Sequence, residues 1–226
     1  MPPGLNDKLG RPSDGPTAAR DFVAASRLFA ALEPSDLEGM LRVMRGTIVK
    51  RGSDVFVRGD FVTDVFAIGN GHVMLLQPSG ERSVAVGFQG PGEICDLEDA
   101  VNGGRYKVGA RAMNDVDIWK IPRALLLEAL TVSAAAQQAL INELAVIAIA
   151  RRGFAACLGG SSVAERTQDL LSLIWMTHDH ETIRFSQTNL AMLLGVSRQH
   201  VSQALRQMRN EGRLEVAYRS IALIDN

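Results

Sequence analysis

Cysteine is scarce in this chain: its 226 residues hold only Cys95 and Cys157. Two thiols exclude a disulfide-built scaffold and a four-thiolate metal cluster. An excess of one charge is missing too. Lys plus Arg number 24 against 25 Asp plus Glu, so there is no global nucleic-acid signature, and any polyanion site must come from local placement of charge. Long apolar runs are absent: the longest, Leu144 to Ala150, falls far short of the roughly 20 residues that cross a membrane. Residues 1 to 20 are rich in Pro, Gly and charge and lack the apolar centre of a signal peptide. The expectation is a cytoplasmic protein with no membrane partner. What is present, 46% hydrophobic and 22% charged residues, is ordinary globular composition, enough for one large domain or two small ones.

Composition divides the chain into four parts. Residues 1–20 read as a flexible tail, and 21–131 as a domain. Its part from Gly46 to Pro122 holds short β-branched runs (TIVK, DVFV, DVFAI, HVMLL, SVAVGF, DVDIWKI) separated by Gly-containing turns, Asn70-Gly71 and Ser79-Gly80 among them. That pattern predicts an antiparallel sandwich or barrel. Residues 132–158 form one long helix. Ala136, Leu140, Leu144, Ile147, Phe154 and Leu158 lie on one coiled-coil-like stripe interrupted at Arg151, while Ile141, Val146 and Ile149 lie off it. A helix apolar on more than one face needs cover on two sides. It is either an internal core helix or a dimerisation helix with a second copy against it. Gly159-Gly160 ends it, and residues 161–226 make a second domain, opened by the capping box Ser162-x-x-Glu165.

The segment from Phe185 to Val216 carries the most chemistry. Ser186 is placed to cap a helix over Gln187–Leu194, Gly195-Val196 to turn, and Ser197 to cap a second helix over Arg198–Asn210. Two short helices about a Gly turn make a helix-turn-helix. On the second helix, at about 100° per residue, Arg198, Arg209, Ser202, Arg206, Gln199 and Gln203 fall within about 140°. Val201, Ala204, Leu205 and Met208 occupy the opposite arc. The polar arc offers groups that hydrogen-bond base edges and phosphates. From Arg184 to Ser220 there are six Arg against two Glu, a local excess of positive charge. Leu214–Val216 and Ser220–Leu223 read as the strands of a wing that carries Arg219. No nucleophile–base pair, metal set or phosphate loop emerges, so no enzyme is expected. His178-Asp179-His180 invites a metal, but no third ligand is placed by the sequence.

With these motifs in order, the chain resembles the CRP/FNR family of bacterial transcription regulators over about Leu28 to Asp225. The RGD-x-x-x-DVFAIGNGHVMLL stretch, the PGE near residue 92, the long helix and SRQHVSQALRQM carry the likeness. The resemblance implies an α+β chain: an N-terminal antiparallel β jelly-roll sensor domain of cyclic-nucleotide-binding type, a long dimerisation helix and a C-terminal winged helix-turn-helix. It implies a homodimer on double-stranded DNA, reading a pseudo-palindrome, with RNA polymerase as a further partner. The family's base-reading positions fall on Arg198, Gln199 and Gln203. Ser186, Thr188, Ser197, His200, Ser202, Arg206 and Arg219 are the candidates for backbone contact. The alternative is a cyclic-nucleotide-binding regulatory module that works through protein partners, which does not require the polar arc.

The sensor cassette departs from the cyclic-AMP-binding members. Their Gly-Glu pair aligns with Asp96-Leu97 and their Arg-Ser pair with Tyr106-Lys107. Leu97 cannot accept from a ribose hydroxyl, and Asp96 repels a phosphate. Lys107, or Arg105 after a slip of one residue, supplies a point charge without the bidentate fork. The effector pocket candidates are Glu93, Asp96, Leu97, Glu98, Arg105, Tyr106 and Lys107, and the expected effector is not cyclic AMP; no cofactor is expected. The cassette is more similar to that of the FNR/FixK branch, yet no cysteine precedes Cys95, which excludes that branch's iron-sulfur cluster. His72 and Cys95 are the sensor-domain candidates for a haem ligand. His72 is expected on the surface of a strand, Cys95 as a buried structural thiol, and Cys157 as an inert helix residue or a pair across a two-fold axis. Where FNR-like proteins read DNA with Glu, Ser and Arg, this chain has Gln199, Ser202 and Gln203, so its site is expected to differ from theirs.

Overall fold

The computed structural model describes residues 26–80, 82–177, 185–217 and 220–223. The expected tail, the His178-Asp179-His180 trio and Arg219 lie outside the described residues. The chain divides into two compact units. One takes residues up to Gln77 together with Phe88–Val146; the other takes Pro78–Gly87 and everything from Ile147 onward.

The first unit starts with α1 (Arg27–Ala30) and α2 (Pro34–Val43), the latter with Pro34 at its first position, where a missing N–H costs nothing. Then come β1 (Arg45–Val49), β2 (Asp54–Phe56), β3 (Asp64–Asn70), β4 (Val73–Ser79), β5 (Arg82–Gln89), β6 (Ile94–Cys95), α3 (Leu97–Asn102), β7 (Gly109–Ala112) and β8 (Val116–Pro122). The strands form two four-stranded sheets, ordered β1-β8-β3-β6 and β2-β7-β4-β5. The registers are antiparallel, with Thr47 opposite Ile118, Ala67 opposite Trp119 and Leu75 opposite Ala110. Neighbours distant in sequence make this a jelly-roll rather than a meander. Val65, Ala67, Ile68, Val73, Leu75, Ile118 and Ile121 are fully buried, and β4 is buried at every residue from Val73 to Leu76, so both of its faces are covered there. The Asn70-Gly71 turn forms as read, with the Asn70 Oδ1 accepting from the Gly71 N–H at 2.8 Å.

His72 departs from expectation. It sits in the turn ahead of β4, half-buried, with its own N–H donating to Asn114 Oδ1 at 2.8 Å. Cys95 is wholly buried, and burial, with Asp96, Glu93 and Glu98 close by, pushes its thiol well above the usual range.

After α4 (Arg123–Val132) comes α5 (Ala134–Leu158), the long helix. Its orientation corrects the stripe read from the sequence. Ile147 and Phe154, expected to face a second copy, are 7% and 3% exposed inside their own protomer; Leu140 and Leu144 are half-buried. Leu158 of that stripe does stay out, 37% exposed, and the surface side also carries Ile141 (58% exposed), Ala148 and Ala155. With Leu144 these follow a 3-4-7-3 spacing, the rhythm of a coiled-coil seam. Cys157 is buried too, and burial raises its thiol pKa, so it is not presented to a partner. Among the described residues no single helix is long and apolar enough to cross a membrane; α4 and α5 pass that test only as a pair bent by 118°.

Candidate nucleic-acid interface and sensor cassette

In the second unit, α6 (Val163–Thr177), α7 (Gln187–Leu194) and α8 (Arg198–Asn210) precede the hairpin β9 (Leu214–Ala217) and β10 (Ser220–Leu223). The capping box forms at the start of α6: Glu165 N–H donates to Ser162 Oγ at 3.1 Å, and Ser162 N–H to Glu165 Oε2 at 3.3 Å. Leu170, Leu171 and Ile174 of α6 are buried, as are Leu190, Leu193 and Leu194 of α7 and Val201, Leu205 and Met208 of α8. Aliphatic residues from three short helices thus make the core that none could make alone.

Local chemistry sets the turn between α7 and α8. Ser186 Oγ accepts from Asn189 N–H at 3.1 Å and Ser197 Oγ from His200 N–H at 3.3 Å. At the end of α7, Val196 N–H bonds to Ala191 C=O and Gly195 N–H to Met192 C=O, the paired closure of a Schellman motif. Gly195 has φ +64°, and a Cβ added to it would meet nothing within 4 Å, so backbone conformation alone demands glycine there. Gly195→Val is expected to cost about 1–2 kcal/mol, read as an earlier midpoint in chemical denaturation of the helix-turn-helix.

The turn launches α8 with its polar arc outward. Arg198, Gln199, Gln203, Arg206 and Arg209 are exposed, and Ser202 is half-buried. Arg206 Nε donates to Ser202 C=O at 3.3 Å, while Arg198, Gln199 and Gln203 make no side-chain hydrogen bond or ion pair with the described residues. Glu211, just past the far end of this helix, pairs with Arg213 at 2.9 Å and accepts from Gln207, which holds its carboxyl below the usual range. Thr188 and Ser197 are exposed, Ser186 half-buried and His200 exposed, all near the N-termini of the two helices.

The cassette residues come together only in part. Asp96 caps α3 at φ 50°, the one described non-glycine residue with positive φ. An aspartate tolerates that left-handed backbone better than most side chains. It is buried, and its N–H donates to Gln89 Oε1 at 2.9 Å. Leu97 is wholly buried and Glu98 half-buried. Lys107 is engaged: its Nζ meets Asp99 Oδ1 at 2.8 Å and its N–H donates to Asp99 Oδ2 at 2.6 Å. Burial raises the Asp99 carboxyl, but hydrogen bonds from Lys107 and Asp96 outweigh this and leave it below the usual range.

The other cations point elsewhere. Arg105 lies 3.7 Å over the exposed Phe61 ring and donates to Gly59 C=O at 2.6 Å. Tyr106 is buried, stacked on Phe56 with centroids 3.7 Å apart, and its hydroxyl donates to Asp64 C=O at 2.8 Å. Asp99 and Gln89 are the cassette residues that sequence reasoning missed; the pairing of Asp99 with Lys107 across a loop has no periodic signal. Glu93, whose Oε2 accepts from Gly90 N–H at 2.5 Å, has its carboxyl raised from 4.5 to about 7 by burial; Glu143 and Glu98 add to the rise and the Gly90 N–H opposes it. Among the described residues no group of three or more His, Cys, Asp or Glu is arranged to hold a metal ion.

A nucleotide-binding type of β-roll followed by a winged helix-turn-helix defines a sensor joined to a DNA-binding reader. Residues 47–132 match the cyclic nucleotide-binding domain model and residues 168–226 the Crp-like helix-turn-helix domain model. The chain belongs to the CRP/FNR family of transcription regulators. Solved structures share the fold. FixK2 from Bradyrhizobium japonicum matches at TM-score 0.70 and 20% identity, over 81% of this chain and 93% of that one. The c-di-GMP-responsive global regulator CLP of Xanthomonas campestris matches at 0.65 and 18%, over 86% and 100%. A CRP-family transcriptional regulator from Thermus thermophilus matches at 0.61 and 20%, over 79% and 91%. Comparison with the curated proteins returns no sequence match. The family match accounts for the helix-turn-helix, which a regulatory module acting only through protein partners does not require. The chain's homologues are transcriptional regulators rather than enzymes.

Proposed function

We propose that this regulator acts in the cytoplasm as a non-catalytic homodimer that reads a pseudo-palindromic promoter site and works through RNA polymerase. Arg198, Gln199 and Gln203 read base edges; Ser186, Thr188, Ser197, His200, Ser202, Arg206 and Arg219 meet the backbone. The observation that carries this reading is the outward arc of α8, whose guanidinium and amide groups at Arg198, Gln199 and Gln203 have no partner among the described residues. Such groups are hydrated in the free protein and match the donor–acceptor pattern of the major groove. The second copy is supported by the exposed apolar residues Ile141, Ala148, Ala155 and Leu158 on one side of α5, with half-buried Leu144 beside them, since apolar residues gathered on one exposed face mark an interaction surface.

The effector in this reading is not cyclic AMP. A cyclic phosphate needs an uncommitted cation, and Lys107 is held by Asp99, Arg105 is turned onto Phe61, and Asp96 adds a carboxyl to the α3 N-terminus. Selection of bound duplexes from a random pool by the full-length protein tests the reading. It is expected to return two inverted half-sites with centres about 34 Å apart, with adenine favoured opposite the glutamines. A pool that stays random, or returns a single unpaired half-site, contradicts it.

A further inference from the structure

Arg166 stands outside the reading arc, yet it touches both ends of the reader's support. It lies in the first turn of α6, half-buried, and its Nη2 donates to the C=O of Leu194, the last residue of α7. The Schellman closure uses the Ala191 and Met192 carbonyls, so Leu194 depends on an outside donor. A cation there also complements the C-terminal end of the α7 dipole. The Arg166 Nε is buried without a hydrogen-bond partner among the described residues, so the guanidinium is held for one bond at the expense of another. On its other side the same side chain is pressed by the connection between α5 and α6: a Cβ on Gly160 would stand 2.8 Å from Arg166 Cγ and 3.3 Å from its N. Only a residue without a Cβ fits against that stem undisturbed.

We propose that Arg166 is a positioning residue for DNA recognition: it ties the Gly159-Gly160 connection to the turn that launches α8. The geometry of that connection then sets the angle at which Arg198, Gln199 and Gln203 meet the groove. The inference rests on the base-reading role proposed above. One side chain makes both contacts, and a double-variant cycle measures whether they are coupled.

The test uses the full-length protein with Arg166→Met, Arg166→Lys, Gly160→Ala and the Gly160→Ala/Arg166→Met double variant. Affinity is measured on the selected duplex and on a scrambled duplex of equal length, beside a thermal melt of each variant. Arg166→Met is expected to lower the ratio of selected to scrambled affinity about tenfold, a typical coupling factor, while scrambled binding holds. Arg166→Lys recovers part of that ratio, because it restores a donor for Leu194. Gly160→Ala, which leaves every donor in place, lowers the ratio too but adds nothing in the Arg166→Met background. A wild type with clear preference and an unchanged ratio in Arg166→Met overturns the inference alone. So does a loss that merely follows the unfolded fraction, or a Gly160→Ala effect that adds in full. A wild type with no preference removes the base-reading role and this inference with it.

Discussion

Replacing Arg198 and Gln203 together by alanine is expected to abolish selective DNA binding while leaving weak general binding. Each side chain that makes a bidentate contact to a base edge carries about 1–3 kcal/mol of discrimination. The two lie on one exposed arc of α8 without partners among the described residues, so truncation leaves no buried group unsatisfied. The variant therefore folds as the wild type does, and the loss is one of recognition. If the two sites act independently, the double change costs on the order of 2–6 kcal/mol on the selected duplex. Random duplex, bound through phosphates, loses less, because Arg206 and Arg209 remain. Equal losses on both duplexes at fixed salt would mean that Arg198 and Gln203 only supply charge.

The second large effect concerns Glu93. Its carboxyl is raised from 4.5 to about 7, mainly by burial, with Glu143 and Glu98 adding to the rise. At acid pH the group is protonated both folded and unfolded and contributes its full stabilisation relative to the ionised state. As pH rises through about 7 the folded protein must ionise it in place, whereas the unfolded chain does so freely from 4.5 upward. The stabilisation is thus lost between those two values, on the order of 3 kcal/mol once the pH is well above both. Denaturant melts of the wild type are expected to show the sensor unit weakening from about pH 5 to pH 8. Glu93→Gln keeps an acceptor for the Gly90 N–H and removes the titration, so its advantage over wild type grows with pH. A stability difference that does not change with pH contradicts this account of Glu93.

How much was legible in the sequence depends on how local the determinants are. The helix-turn-helix was readable because Ser186, Gly195 and Ser197 act within a few residues of themselves, and α8 keeps a clean 3.6-residue period. The strands of the β-roll were readable as runs, but not the order β1-β8-β3-β6, which is decided by pairings between distant segments. The long helix was recognisable and its outward face was not. With apolar residues all round α5, only packing decides that Ile147 and Phe154 turn in while Ile141 and Leu158 stay out. His72 looked like a strand residue because it follows a hairpin turn, yet Asn114 fixes its backbone before β4 begins. In the cassette, the resemblance drew attention to Asp96, Leu97 and Tyr106, all three of which are buried. That Asp99 neutralises Lys107 was not legible, since a loop brings them together. Arg166 carried no signal at all: its partner is a backbone carbonyl, and no side-chain pattern marks a carbonyl in need of a donor.

The most direct test of the account removes single acceptors from the DNA. Selected duplexes carrying 7-deazaguanine or 7-deazaadenine in one half-site lack the N7 atom to which arginine and glutamine donate. Binding of the wild type is expected to weaken by about 1–3 kcal/mol at the matching position, with no further loss once Arg198 or Gln203 has become alanine. Wild-type binding that is indifferent to N7 at every position, or variants that lose as much as the wild type, would contradict base reading by α8.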